Sequence, residues 1–112
     1  MRTTNPEVIN FKDKFSLEGK AIIISGGMGL IGRAFAEACA QFGANVVIAD
    51  ISKMNPEDHA DKMSKRFDRK ILGVSIDVSQ RKDVENLKKV CIDNFGRIDG
   101  LVNCHQNKTA KF

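Results

Sequence analysis

An apolar run that passes straight into a cluster of glycines, and out of it into an amphipathic segment, leaves few folds open to a chain. Ala21-Ile22-Ile23-Ile24 is unbroken apolar and mostly β-branched, the character of a strand buried on both faces in a parallel sheet. Ser25-Gly26-Gly27-Met28-Gly29-Leu30-Ile31-Gly32 follows directly. From Ile31 the period changes: Ile31, Phe35, Ala38/Cys39 and Phe42 recur at i, i+4, i+7/i+8 and i+11. That spacing predicts the buried stripe of a helix stopped by Gly43, the residue type best able to take the left-handed conformation just past a helix end.

Gly27-x-Gly29-x-x-Gly32 has the spacing of a dinucleotide-binding turn. The first glycine permits the tight turn, the second lets the backbone approach a pyrophosphate, and the third lets helix and strand pack closely. Unpaired N–H groups and the positive end of the helix dipole are then expected to face phosphates. Glycine-rich turns of this kind also serve packing alone, so the spacing by itself leaves both roles open. A second apolar strand, Asn45-Val46-Val47-Ile48-Ala49-Asp50, adds a carboxylate 18 positions after Gly32 and 23 after Gly27. There it either accepts hydrogen bonds from an adenosine ribose or caps the next turn. The same charge repels a 2′-phosphate, which favours NAD over NADP.

With 112 residues and 42% hydrophobic composition, one domain is expected, burying roughly 60 to 70% of its unfolded surface. The charge of +4 is scattered along the chain, which argues against a nucleic-acid partner. Cys39, Cys91 and Cys104 have neither disulfide nor zinc spacing and fit a reducing cytoplasm. No apolar leader or membrane-length stretch is seen. Residues 1–16 form a polar lead-in, with Phe11 and Phe15 expected to pack under the end of the first strand.

Further along, Asn55-Pro56-Glu57 starts a helix, Asn as its N-cap, with Ala60, Met63 and Phe67 on a thin apolar edge. Ile71 to Ile76 is a third strand. Ser79 is the expected N-cap of a helix running to Phe95, with Val84, Leu87, Cys91 and Phe95 on one stripe, and Gly100-Leu101-Val102-Asn103 is a fourth strand. The order β-α-β-α-β-α-β predicts an α/β, three-layer, doubly wound parallel sheet with strand order 3-2-1-4. Gly27, Gly29, Asp50, Asp77 and Asn103 then all lie at or just past strand C-termini, near the switch point between strands 1 and 4 where ligands bind.

Leu17-Glu18-Gly19-Lys20 before the first strand, Asp77-Val78 after the third, and Gly96-Arg97-Ile98-Asp99-Gly100-Leu101-Val102-Asn103 around the fourth complete a resemblance. Over about residues 15 to 103 the chain is similar to the short-chain dehydrogenase/reductase family. The resemblance implies a partial Rossmann-like fold, with residues 17–112 as the NAD(P)-binding half-domain, and a soluble oxidoreductase that moves a hydride between NAD and a hydroxyl or carbonyl. It implies cofactor-binding roles for Ser25, Gly26, Gly27, Met28, Gly29, Leu30, Ile31, Gly32, Asp50, Ile51, Asp77, Val78 and Asn103. Asp77 would meet the adenine amino group, Val78 the ring through its backbone, and Ile51 one adenine face. Read from chemistry alone, Asp77 is equally a turn residue and Ile51 a residue tucked against the core.

Three departures bear on function. Asn103-Cys104-His105-Gln106 stands where the family has Asn-Asn-Ala-Gly, placing bulkier groups beside the nicotinamide ribose. Cys104 and His105 are not expected to form a nucleophile and base, because neighbours on an extended chain point to opposite sides. Gly26-x-x-Gly29-x-x-Gly32 is the spacing of the extended subfamily, a hint of a carbohydrate-related substrate. The family's Tyr-x-x-x-Lys pair is missing, and the chain contains no tyrosine, so no catalytic residue is assigned. The expectation is therefore a truncated or fragmentary cofactor-binding half. The alternatives are a non-catalytic dinucleotide-binding module and a partner subunit of a split oxidoreductase. An open fourth strand, and one sheet face under a single helix, predict marginal stability and self-association through the strand edge.

Overall fold

In the computed structural model, residues 8–105 are described. Four strands alternate with three helices: β1 (Ala21–Ser25), α1 (Leu30–Gln41), β2 (Asn45–Asp50), α2 (Pro56–Phe67), β3 (Ile71–Ser75), α3 (Arg81–Phe95) and β4 (Gly100–Asn103). Short 3₁₀ turns cover Phe11–Phe15 and Ser52–Met54. All strand pairs are parallel and the order is β3-β2-β1-β4, as the alternation predicts.

The apolar runs are continuous because both faces of the sheet are covered. Ile22, Ile24, Val46 and Ile48 face Ala36 and Ala40 of α1 and Ala60 and Met63 of α2. Ala21, Ile23, Val47 and Ala49 face Leu87 and Cys91 of α3. Each strand thus contributes alternate side chains to two separate cores. Burial of a side chain such as Ile24 or Ile48, both 0% exposed, is worth about 1.5–3 kcal/mol.

The predicted stripe of α1 is turned mostly away from the sheet, with Cys39 alone of its members packed against the core. Gly32, Ala36 and Ala40 are its buried residues, whereas Ile31, Phe35 and Phe42 are 65%, 46% and 53% exposed. The reason is close approach: a Cβ on Gly32 would lie 2.4 Å from the Gly26 carbonyl oxygen and 2.7 Å from the Gly27 Cα. Only the small-residue face fits against the turn that the helix grows from. The helix ends as predicted. Gly43 has φ 101°, and the amides of Gly43 and Ala44 donate to the carbonyls of Ala40 and Cys39, the paired bonds of a Schellman motif.

The start of α2 also follows the prediction, with the Asn55 side chain accepting from the Asp58 amide and Pro56 in the first turn; Ala60 and Met63 are buried, with Phe67 packed at the edge. Other details differ. Phe11 and Phe15 are 69% and 71% exposed; their 3₁₀ turn stands off the sheet, and Leu17 packs against the core instead. The N-cap of α3 is Gln80 rather than Ser79, because Asp77 captures both the amide and the hydroxyl of Ser79 at 2.9 and 2.6 Å. On α3 only Leu87 and Cys91 are buried; Val84 is 44% exposed and Phe95 packs at the margin. The strand β3 stops at Ser75, although the Ile76 amide still donates to the Asp50 carbonyl.

At the opposite end of the sheet from the glycine turn, Asp99 ties β4 to β1. Its carboxylate accepts from the Ala21 amide at 2.8 Å and from the Arg97 guanidinium at 2.7 and 2.6 Å. The Arg97 bond, followed by the Ala21 amide, holds the Asp99 carboxyl below its ordinary value. This accounts structurally for the Gly-Arg-Ile-Asp segment.

Candidate functional site

The C-terminal ends of the strands meet in register, with Ser25 opposite both Ala49 and Asn103, and Asp50 opposite Ser75. Above them lies the glycine turn. Gly26 takes φ 72°, and a Cβ there would lie 2.8 Å from the Cys104 carbonyl carbon. Gly27 is wedged between the Ile24 carbonyl and the Ile48 side chain. Together with Gly32, these positions are glycine because the chain's own packing leaves no room.

Gly29 differs. It has φ −73°, and a Cβ would meet nothing nearer than the Gly26 oxygen at 3.7 Å, an ordinary contact. Gly29 is exposed and serves as the N-cap of α1 without a side-chain cap bond. The amides of Leu30, Ile31 and Gly32 have no partner among the described residues. Three free donors at the positive end of a 12-residue helix, with no acidic residue in its first turn, form a cradle whose chemistry suits an anion.

The location of those donors corrects part of the sequence expectation. Gly26 and Gly27 both donate to the Ala49 carbonyl, at 2.9 and 3.1 Å, and are unavailable to a phosphate. Met28 has no free polar group either: its amide donates to Asp50 Oδ2 at 2.9 Å, and its carbonyl accepts from Arg33 Nε at 3.1 Å. Its side chain is 5% exposed, inside the core. The turn therefore divides into a supporting half, Ser25 to Met28, and an open half, Gly29 to Gly32. Leu30 is 90% exposed and flanks the cradle.

Asp50 is half-buried and staples the turn to β2, with Oδ2 on the Met28 amide and Oδ1 accepting from the Ile51 amide at 2.8 Å. Each carboxylate oxygen keeps a further lone pair, so the turn-capping and ligand-binding roles are compatible. Ile51 is 41% exposed beside it. Asp77 is exposed beyond β3, and its hydrogen bonds from Ser79 hold its carboxyl below the ordinary range; its amide donates to Asp83 Oδ2 at 2.8 Å. Val78 is 46% exposed. Asn103 is exposed at the end of β4. Ser25, the turn, Asp50 and Asn103 are thus brought together, and Asp77 stands one strand further out.

Sequence reasoning missed Arg33, whose bond to Met28 carries no recognisable signal, and a contact across the switch point. Ser25 Oγ is hydrogen-bonded to Nε2 of His105, and the Cys104 amide donates to the Ser25 carbonyl at 2.7 Å. Cys104 itself packs against the core, so the two neighbours do point apart. Gln106 lies outside the described residues. Among the described residues no cluster of potential metal ligands occurs, and no helix is long and apolar enough to cross a membrane.

Residues 27–106 match the family model described as Enoyl-(Acyl carrier protein) reductase. The chain is 36% identical over 88 residues to 3-hydroxyacyl-CoA dehydrogenase type-2 of Drosophila melanogaster, covering 79% of this chain and 33% of that protein. It is 32% identical over 108 residues to NADP-dependent mannitol dehydrogenase of Alternaria alternata, covering 94% of this chain and 40% of that protein. Among solved structures, NADPH-dependent 3-quinuclidinone reductase of Rhodotorula rubra superimposes with a TM-score of 0.78 at 32% identity, over 89% of this chain and 38% of that one. The chain therefore spans about a third to two fifths of the length of these three proteins.

Proposed function

The chain belongs to the short-chain dehydrogenase/reductase family, and from that membership we propose that it holds the adenosine and pyrophosphate of NAD in an oxidoreductase acting on a hydroxyl or carbonyl group. The observation that carries this reading is the trio of free amides at Leu30, Ile31 and Gly32 beneath the open space at Gly29. The donors suit a pyrophosphate, and the space admits one. The cofactor when bound supplies hydride transfer; this chain's residues bind and orient it. The sequence contains no tyrosine, so this chain does not supply the family's proton-transferring Tyr.

The test is Gly29→Val with Gly32→Ala as its control. Because a Cβ at position 29 makes only an ordinary contact, we expect the Val variant to stay folded, with about 1 kcal/mol lost from a poorer helix N-cap, and to lose NAD binding measured by calorimetry. Gly32→Ala meets backbone at 2.4 Å and should lose stability by about 1–3 kcal/mol, as overpacking does. Unchanged NAD affinity in a folded Gly29→Val protein would remove the pyrophosphate from the turn.

Asp50 favours NAD, since a carboxylate beside the ribose repels a 2′-phosphate by about 1 kcal/mol in water, roughly fivefold in affinity. The mannitol dehydrogenase and the quinuclidinone reductase carry NADP or NADPH in their names, which makes the choice a sharp one. We expect Asp50→Ala to narrow the ratio of NAD to NADP affinity; a ratio that does not move takes Asp50 out of the ribose role. The mannitol dehydrogenase likeness supports a sugar or polyol substrate. A second reading, a subunit completed by another polypeptide, is favoured by β4, an edge strand on which Leu101 is 58% exposed.

A further inference from the structure

Ser25 closes β1 directly under the glycine turn and is only 3% exposed. The partner of its hydroxyl among the described residues is Nε2 of His105. A serine hydroxyl carries one hydrogen. If Oγ merely accepted from an Nε2–H, that hydrogen would be buried with nothing to receive it. The hydrogen-bond balance therefore assigns the donor role to Ser25, which places the proton of the neutral imidazole on Nδ1. Nδ1 has no partner among the described residues, and His105 is exposed.

The position of this donor follows from the strand order. In β3-β2-β1-β4, Asp50 marks the end of β2 on one side of the turn and His105 follows β4 on the other. The backbone at Cys104 and His105 lies against Gly26, where a Cβ would come within 2.9 Å of the His105 nitrogen. A ligand with its adenosine ribose at Asp50 and its pyrophosphate on α1 continues toward His105. The ring meets β1 at Ser25, and His105 takes part in no ion pair among the described residues.

We propose that His105 is a binding contact for the half of the dinucleotide beyond the adenosine: Nδ1–H, its tautomer set by buried Ser25, donates to an oxygen of the ribose phosphate that leads to the nicotinamide. This rests on the dinucleotide reading above. Where a small residue would leave space, the imidazole adds a directed donor.

The test compares NAD with AMP, which has the adenosine half alone, on the full protein and its His105→Ala and Ser25→Ala variants by calorimetry. For His105→Ala we expect NAD to bind about tenfold more weakly, the loss of one hydrogen bond to a charged oxygen, and AMP to bind as before. Ring ¹⁵N spectra provide an independent readout, the chain having two histidines. The signals absent from His105→Ala should show the Nδ1–H tautomer, and Ser25→Ala should move them toward Nε2–H while weakening NAD but not AMP. Equal weakening of NAD and AMP, unchanged NAD affinity, or an Nε2–H tautomer in the unaltered protein would each overturn the proposal. If the unaltered protein binds neither ligand, the dinucleotide reading fails and this one falls with it; if it binds both and His105→Ala binds both equally well, this one fails alone.

Discussion

Asp99 and His59 respond to acid through opposite chemistry with the same sign. The Asp99 carboxyl is depressed in the folded state, first by the Arg97 hydrogen bonds and then by the Ala21 amide. Unfolding at low pH therefore takes up a proton, and the stabilisation, full above the unfolded value near 3.8, is lost as pH falls through the folded one. His59 is lowered by burial, then by Arg33 and Lys62. Its unfolded form also binds protons more readily, so stability begins to decline below about 6.5, the ordinary histidine value. We expect urea midpoints to fall in two stages, one below neutrality and one below pH 4. His59→Gln should remove the first and Asp99→Asn should reduce the second, to which the depressed Asp77 carboxyl also contributes, with Asp99→Asn also lowering the midpoint at pH 7. Midpoints flat from pH 7 to 5 in the unaltered protein would contradict the His59 assignment.

At the scale of elements, α1 behaves contrary to its own hydrophobic spacing. Its seat is the small-residue line Gly32, Ala36 and Ala40, and its largest apolar residues stand clear. Two substitutions separate the two pictures. Ala36→Leu should cost about 1–3 kcal/mol by overpacking a position that is 0% exposed. Phe35→Ser, nearly half exposed, should cost far less than the roughly 3–5 kcal/mol that truncating a core phenylalanine brings. A Phe35→Ser loss in that range, from urea unfolding, would show that the stripe read from the sequence is the packed one. On β3 the same close approach recurs. A Cβ on Gly73 would lie 2.2 Å from the Pro56 carbonyl oxygen, so α2 lies directly on that strand.

Over the whole molecule the sheet is covered unequally. Among the described residues, one face carries α1 and α2, the other α3 alone, and β4 is an edge with Leu101 58% exposed. The residues Gly100-Leu101-Val102-Asn103 include neither proline nor charge, the usual guards of an open edge. We propose that this edge pairs with another chain when the protein is concentrated. Sedimentation should show mass rising with concentration, and Leu101→Lys should suppress the rise; a unaltered protein monomeric throughout would refute it.

How much of this could be read before any coordinates depends on whether the cause is local. Strand positions, their parallel order, the Gly43 stop and the Asn55 cap follow from residues within a few positions of each other, and the sequence determined them. The concentration of Gly27, Gly29, Asp50 and Asn103 at one end of the sheet followed too, because crossover handedness leaves little choice. Contacts between segments distant in the chain were decided only by the tertiary structure. Which face of α1 is buried depends on how near the helix lies to Gly26 and Gly27. Which amides stay free depends on Ala49 and Asp50 reaching the turn first. The Ser25–His105 bond joins residues 80 positions apart, and no periodicity in the sequence records it, since it exists only once β1 and β4 lie side by side.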